Sequence, residues 1–300
     1  MTSDRWDGLT ARLAAGEPLG AGDIAALAAA TDILTLGMLA DAVRRRKHGA
    51  DTTYVRVADL DLTSAGSAPV IPGAAREVRV RADAATLEAH LPALHGVVRA
   101  AGTTPVSACS LADLEAHARA TGTPLLNMLR GIRGTGVTSI AEAPLDVLDD
   151  AEAALEAVRE AGLGLARLTV HRQADSASRV ALITRAAELQ HALGWLPGFA
   201  PLPRTWSAAS PTTGYEDVRQ IALARLLADN IPSIQVDWSL YGPKLAQVAL
   251  TVGADDLDAV SALDDESEGR RRAPLEEVRR NIQAAALVPV ERDGAFRRMG

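Results

Sequence analysis

Apolar residues recur at helical spacing over the first part of the chain and then alternate between helical stretches and short strand-like runs. The segments 4–15, 21–30 and 31–48 read as three helices, the last opened by Thr31 and Asp32 at its cap and closed near Gly49. Tyr54-Val-Arg-Val57 and Glu77-Val-Arg-Val80 are predicted strands. A helix follows over 84–101, a short strand over 105–108, helices over 110–120, 124–134 and 150–161, a strand over 166–171 and a helix over 176–193. The Pro- and Trp-bearing stretch 197–213 reads as loop with one short strand. Helix 215–229, strand 233–236 and helix 243–252 complete the series. Alternation of this kind implies an α/β fold with a parallel sheet, and periodicity alone leaves open whether that sheet is closed as a barrel.

Composition fits one large domain. The chain has 300 residues, 48% of them hydrophobic, whereas a single-domain α/β barrel takes roughly 250 residues. The expected organisation is one domain over 1–300, with a helical segment at 1–50, the barrel at 51–258 and a C-terminal extension at 259–300. Aromatic residues make up only 3%, so Ala, Leu and Val must fill most of the core. A net charge of −7 argues against nucleic acid or an anionic membrane surface as partner, since phosphate binding needs clustered Lys and Arg. The runs Arg44-Arg-Arg-Lys47 and Gly269-Arg-Arg-Arg272 are short and read as solvated helix faces. The apolar stretch 24–30 is far shorter than the roughly 20 residues that span a bilayer, and nothing resembles a secretory signal, so a soluble cytoplasmic protein is expected.

Three stretches carry a family resemblance: Asn230-Ile-Pro-Ser-Ile-Gln235, Tyr241-Gly-Pro-Lys-Leu-Ala-Gln-Val-Ala-Leu-Thr-Val-Gly-Ala-Asp-Asp-Leu-Asp258 and Leu287-Val-Pro-Val-Glu-Arg-Asp293. Together they resemble the C-terminal half of the aminofutalosine synthases, radical S-adenosylmethionine enzymes of menaquinone synthesis, whose near relatives build the deazaflavin cofactor. Asp32-Ile-Leu-Thr-Leu-Gly37 through Lys47-His-Gly49 is similar to the family's leading helix, and Leu129-Arg-Gly-Ile-Arg-Gly-Thr-Gly136 to its mid-barrel helix. The resemblance implies a TIM-like βα barrel of the radical enzyme type, with N-terminal helices and a shortened first βα unit.

That family is defined by a Cys-x3-Cys-x2-Cys loop holding a [4Fe-4S] cluster, and here the three positions fall at Gly66, Val70 and Gly73, while the one cysteine, Cys109, lies elsewhere. The family's glycine-rich turn corresponds to Ser139-Ile-Ala-Glu-Ala-Pro-Leu-Asp146, whose side chains would fill the cofactor's place, and Arg79-Val-Arg-Ala-Asp83 lacks paired glycines. The expectation is therefore a chain with neither cluster nor S-adenosylmethionine. Between the first two strands, Pro69, Pro72, Gly66 and Gly73 make poor material for a crossover helix. An extended strap, with an apolar flank at 62–71 open to a partner, is expected there.

Strand ends in such barrels point into the mouth, which makes Asp59, Asp61, Glu142, His171, Arg172, Asp237 and Trp238 ligand candidates. Lys244, Gln247, Asp255 and Asp256 join them as polar positions that helix packing does not require. His171 beside Arg172 suits a carboxylate ligand or a general base, against the plainer reading of a histidine satisfied by a backbone carbonyl. Asp59 and Asp61 sit on one face, either facing a pocket or simply solvated. Cys109 reads as an apolar filler, and His48, His90, His95 and His117 have no metal-ligand spacing, so no metal is assigned. The sequence thus predicts a binding or partner subunit linked to futalosine-dependent menaquinone synthesis, as a homo-oligomer or in complex with an active homologue. The alternative is a non-radical lyase or hydrolase acting on a futalosine-like nucleoside or aromatic acid.

Overall fold

The structure, a computed structural model, describes residues 3–17, 19–62, 70–172, 174–205, 213–263 and 274–299. Its centre is a closed barrel of eight parallel strands. They are β1 (Asp51–Asp61), β2 (Glu77–Arg81), β3 (Val106–Ser110), β4 (Ser139–Pro144), β6 (Leu168–Val170), β7 (Gly198–Pro203), β8 (Ser233–Asp237) and β9 (Asp256–Ser261). The two-residue β5 (Gly164–Leu165) pairs with the start of β4, just ahead of β6. Pairing of Thr53 with Asp256 and Val57 with Ser261 closes the ring. The long β1 carries two neighbours end to end on its other edge: β10 (Val288–Glu291) along 51–54 and β2 along 57–61.

Helices cover the outside: α4 (Leu87–Ala101), α5 (Leu111–Thr121), α6 (Leu125–Gly134), α7 (Ala151–Glu160), α8 (Ser176–Leu193), α9 (Gly214–Leu227), α10 (Trp238–Leu250) and α11 (Pro274–Ala284). α1 (Ser3–Ala15), α2 (Ala21–Ala29) and α3 (Ile33–His48) precede the barrel, and α3 packs along α9. Five of these starts have a side-chain cap. Asp32, Asp150, Asp175, Thr213 and Asp237 accept backbone N–H groups at the first turns of α3, α7, α8, α9 and α10. The apolar core lies between strands and helices, where Leu94, Leu114, Leu129, Ile132, Leu155, Ile183, Ile221 and Leu250 are fully buried.

Inside the ring the chemistry is ionic. Glu77 and Arg79 on β2, Arg167 ahead of β6 and Asp258 on β9 are all buried. Arg79 meets Asp258 at 2.8 Å and Glu77 at 3.2 Å, and Arg167 meets Glu77 and Asp258 at 3.0 Å each. Ser107 donates to Glu77 at 2.6 Å. Below them, Arg292 grips both oxygens of Asp256 at 2.6 Å, and Gln235 donates to the same carboxylate at 2.9 Å. Burial pushes the Glu77 carboxyl up, but Arg79 and Arg167 outweigh it and hold it down to about 2. Asp258 is likewise held below the carboxylate range by Arg167 and Arg79 against its burial.

Several expectations change. Ser139–Pro144 is the strand β4 and not a turn; Ala141 and Ala143 are buried, and Ala141 and Glu142 line the mouth. The boundary drawn at Asp258 falls inside β9. Of the flank at 62–71, residues 63–69, with Gly66 and Pro69, lie outside the described residues; Leu62 is buried and Val70 is 87% exposed. Ile71 is half-buried against Ala58, Ala75 and Ala262. No helix of the described residues is long and apolar enough to cross a membrane.

Candidate functional site

The C-terminal ends of the strands open on a cavity of about 540 Å³. Four strands bring one connected set of side chains to it. Glu142 leaves β4, His171 follows β6, Arg204 follows β7 and Asp237 ends β8. His171 Nε2 lies 3.0 Å from Glu142 Oε1, Arg204 Nε 3.2 Å from Glu142 Oε2, and Arg204 Nη2 3.0 Å from Asp237 Oδ2. Asp237 also accepts from Ser239 Oγ at 2.8 Å and Leu240 N at 3.0 Å, so the residue that caps α10 anchors Arg204 as well. Burial raises the Glu142 carboxyl, but the hydrogen bond from His171 and the Arg204 guanidinium prevail and keep it ionised.

The opposite wall is acidic. Asp59 and Asp61 from β1, Asp83 after β2 and Asp113 at the start of α5 line it, with Arg79 and Arg81 among them. Desolvation raises the Asp59 carboxyl, and it raises Asp113 with help from the nearby Glu142 charge. Such carboxylates favour a cationic group of a ligand, while Arg204 and His171 across the cavity favour an anionic or polar one.

Cys109 and Ala259 line the cavity with left-handed backbone, φ 62° and 56°. Burial and the Asp113 charge push the Cys109 thiol up to about 12, so it is no nucleophile at neutral pH.

Five of the residues singled out in the sequence converge here: Asp59, Asp61, Glu142, His171 and Asp237. The other six do not. Arg172 is exposed and meets Asp146 through its backbone N–H, and Trp238 packs against the core. Lys244 is exposed and Gln247 half-buried on α10, and neither lines the cavity. Asp255 and Asp256 lie at the other end of the barrel, because they open β9 where Asp258 continues it. There Asp255 pairs with the buried Arg225 and accepts Ile234 N at 2.8 Å, and Asp256 is held by Arg292. Sequence reasoning missed Arg79, Arg167, Arg204 and Asp113. Only Arg204 closes an apolar strand run, which was the available signal for it; Arg79 lies within β2 and Arg167 ahead of β6.

Residues 200–296 match the family described as the CofH/MqnC C-terminal region. The chain is 34% identical over 111 residues to aminodeoxyfutalosine synthase of Thermus thermophilus, a match covering 35% of this chain and 30% of that protein. It is 27% identical over 241 residues to the 5-amino-6-(D-ribitylamino)uracil–L-tyrosine 4-hydroxyphenyl transferase of Archaeoglobus fulgidus, covering 71% and 70%. The aminodeoxyfutalosine synthase of Streptomyces coelicolor is 30% identical over 139 residues, covering 39% and 36%. The match thus spans about a third of the length of either synthase. In fold, the chain is similar to methylornithine synthase (PylB), with TM-score 0.67 and 12% identity over 94% of this chain and 97% of that one. HydG, a maturase of the [FeFe]-hydrogenase, gives 0.68 and 11% over 96% and 76%.

These relatives and structural neighbours are radical S-adenosylmethionine enzymes, which bind a [4Fe-4S] cluster and S-adenosylmethionine, and they overturn the expectation that this chain works with neither. The residues fit the two groups unequally. S-adenosylmethionine carries an ammonium and a carboxylate, which the acidic wall and Arg204 complement. Ligation of a cluster by three thiolates does not match a chain with one cysteine, itself buried, and the described residues hold no group of three or more His, Cys, Asp or Glu placed for a metal.

Proposed function

Starting from a relative of the aminofutalosine synthases, we propose that the barrel mouth binds a polar small molecule of the kind its relatives handle. The ligand is a nucleoside-like or ribityl-bearing ring, or an aromatic amino acid, and its use belongs to futalosine-dependent menaquinone synthesis or a neighbouring route. The observation that carries the reading is the convergence of Glu142, His171, Arg204 and Asp237 from four strand ends on one cavity opposite an acidic wall. The names of the relatives supply the ligand class, aminodeoxyfutalosine for one and 5-amino-6-(D-ribitylamino)uracil with L-tyrosine for the other.

Titration calorimetry of the chain with aminodeoxyfutalosine, 5-amino-6-(D-ribitylamino)uracil and L-tyrosine tests this. Saturable heat with at least one is expected. Arg204→Met should weaken it about tenfold or more, the loss of one charge-assisted contact. Absence of heat with all three, or affinity unchanged in Arg204→Met, overturns the reading.

A second reading, association with another copy or with an active homologue, is favoured by Val70, 87% exposed beside the connection between β1 and β2. Val70→Asp should dissociate such a complex in light scattering and leave circular dichroism unchanged. A monomeric wild type sinks it. Ile71 is unsuited to the test because it packs on Ala58, Ala75 and Ala262.

A further inference from the structure

We infer that His171 is a proton-transfer residue of the mouth, its Nδ1 offered to the ligand, its tautomer fixed by Glu142 and its place fixed by Asp146. The inference rests on the mouth being a ligand site and adds what that site does.

The geometry comes from three directions. Glu142 Oε1 stands 3.0 Å from Nε2, and a carboxylate held ionised accepts only, so the proton of the neutral ring sits on Nε2. Nδ1 makes no hydrogen bond to any described residue and belongs to a side chain that lines the cavity. From behind, Asp146 Oδ1 accepts the His171 backbone N–H at 2.8 Å, and Oδ2 accepts that of Arg172 at 2.6 Å. One side chain thus clamps two successive amides, fixing the backbone as it leaves β6. A base is useful only if it is held within hydrogen-bond reach of the proton it takes, and this clamp supplies the hold.

The step is a proton transfer. A ligand ammonium or hydroxyl gives its proton to Nδ1, and the electron pair stays on the ligand nitrogen or oxygen. The ring becomes imidazolium, with Nε2–H still donating to Glu142, which balances the new charge. The charged groups around the ring are Glu142 on β4, Asp146 after β4, Arg167 ahead of β6, Arg204 after β7 and Asp113 on α5. A histidine backed by a carboxylate with its other nitrogen free is the arrangement general bases use. Asp146 is a positioning residue, since it meets only the backbone.

Long-range proton–nitrogen NMR of the ring, on the whole chain without ligand, reads the tautomer directly. In wild type, Nε2 should carry the proton and Nδ1 should not. Glu142→Gln should lose that preference, and Asp146→Ala should weaken it while circular dichroism stays native. A wild-type proton on Nδ1, or a tautomer preference unchanged in Glu142→Gln, overturns the inference.

The ligand arm is calorimetry of L-tyrosine in two buffers of different ionisation enthalpy. Binding should be accompanied by proton exchange with buffer in wild type and by none in His171→Asn. Exchange that persists in His171→Asn also overturns it. If the NMR result holds and none of the three ligands named above binds, the proposed ligand class fails and the assignment of His171 stands.

Discussion

At the scale of single residues, the barrel is governed by charges that are expensive to bury alone and affordable only together. Glu77 is the clearest case, touching Arg79, Arg167 and Ser107 with almost no solvent access. Removing one partner of a buried ionic group leaves the other uncompensated, so Glu77→Gln should cost about 3–5 kcal/mol in chemical denaturation at pH 7. The pH dependence has a definite sign. The Glu77 carboxyl is lowered from 4.5 in the unfolded chain to about 2 in the folded one, so its stabilisation is complete above about 4.5 and is lost as pH falls through 2. Wild type should therefore lose stability across that window, and Glu77→Gln should lose less. Equal acid slopes would show that Glu77 does not titrate in the network.

The same ionic interior explains which elements the sequence revealed. Helices such as α8 and α9 and the strand β8 are close to their predicted limits because their ends carry local signals: Asp175 and Thr213 cap the two helices, left-handed Gly194 closes α8, and Asp237 ends β8 by capping α10. β9 was hidden. Its Asp256 and Asp258 turn inward to Arg292 and Arg79, so carboxylates stand where the buried face of a strand is expected to be apolar. β4 is hidden because the family resemblance places the glycine-rich turn on Ser139–Asp146, and β10, with Pro289, is visible only as a stretch of that resemblance. The site suffered in step: Asp59, Asp61, Glu142, His171 and Asp237 were found from strand ends, while Arg204 fell in a segment taken for loop.

α10 offers a prediction at this scale. Gly242 interrupts it with φ 70° and ψ 174°, a conformation that side chains rarely adopt, and Pro243 restarts the helix beyond. A Cβ there would meet nothing within 4 Å, so any penalty is backbone strain alone. Gly242→Ala should cost about 1–3 kcal/mol in thermal or urea unfolding. Because Asp237 caps this helix and anchors Arg204, a shifted α10 should also weaken ligand binding. Unchanged stability would mean that the turn is not strained.

For the whole molecule, closure depends on a segment far along the chain. β10 occupies the edge of β1 below β2, and Arg292 just after it neutralises Asp256 inside the barrel. Phe296 packs on the Arg292 guanidinium, 4.1 Å from ring centre to Cζ. Arg292→Ala should therefore destabilise by about 3–5 kcal/mol, although it touches neither the mouth nor any helix face there. Retained wild-type stability would show that Gln235 and Thr53 suffice for Asp256.

The position of Arg292 also orders events in time. During synthesis β1, β2 and the rest of the ring leave the ribosome well before 288–293, so a nascent barrel would have to enclose the Asp256 carboxylate without its partner. Closure around a neutralised Asp256 is therefore deferred until 288–293 have emerged, and until then strand edges stand unpaired. That is the interval in which a chaperone has something to hold.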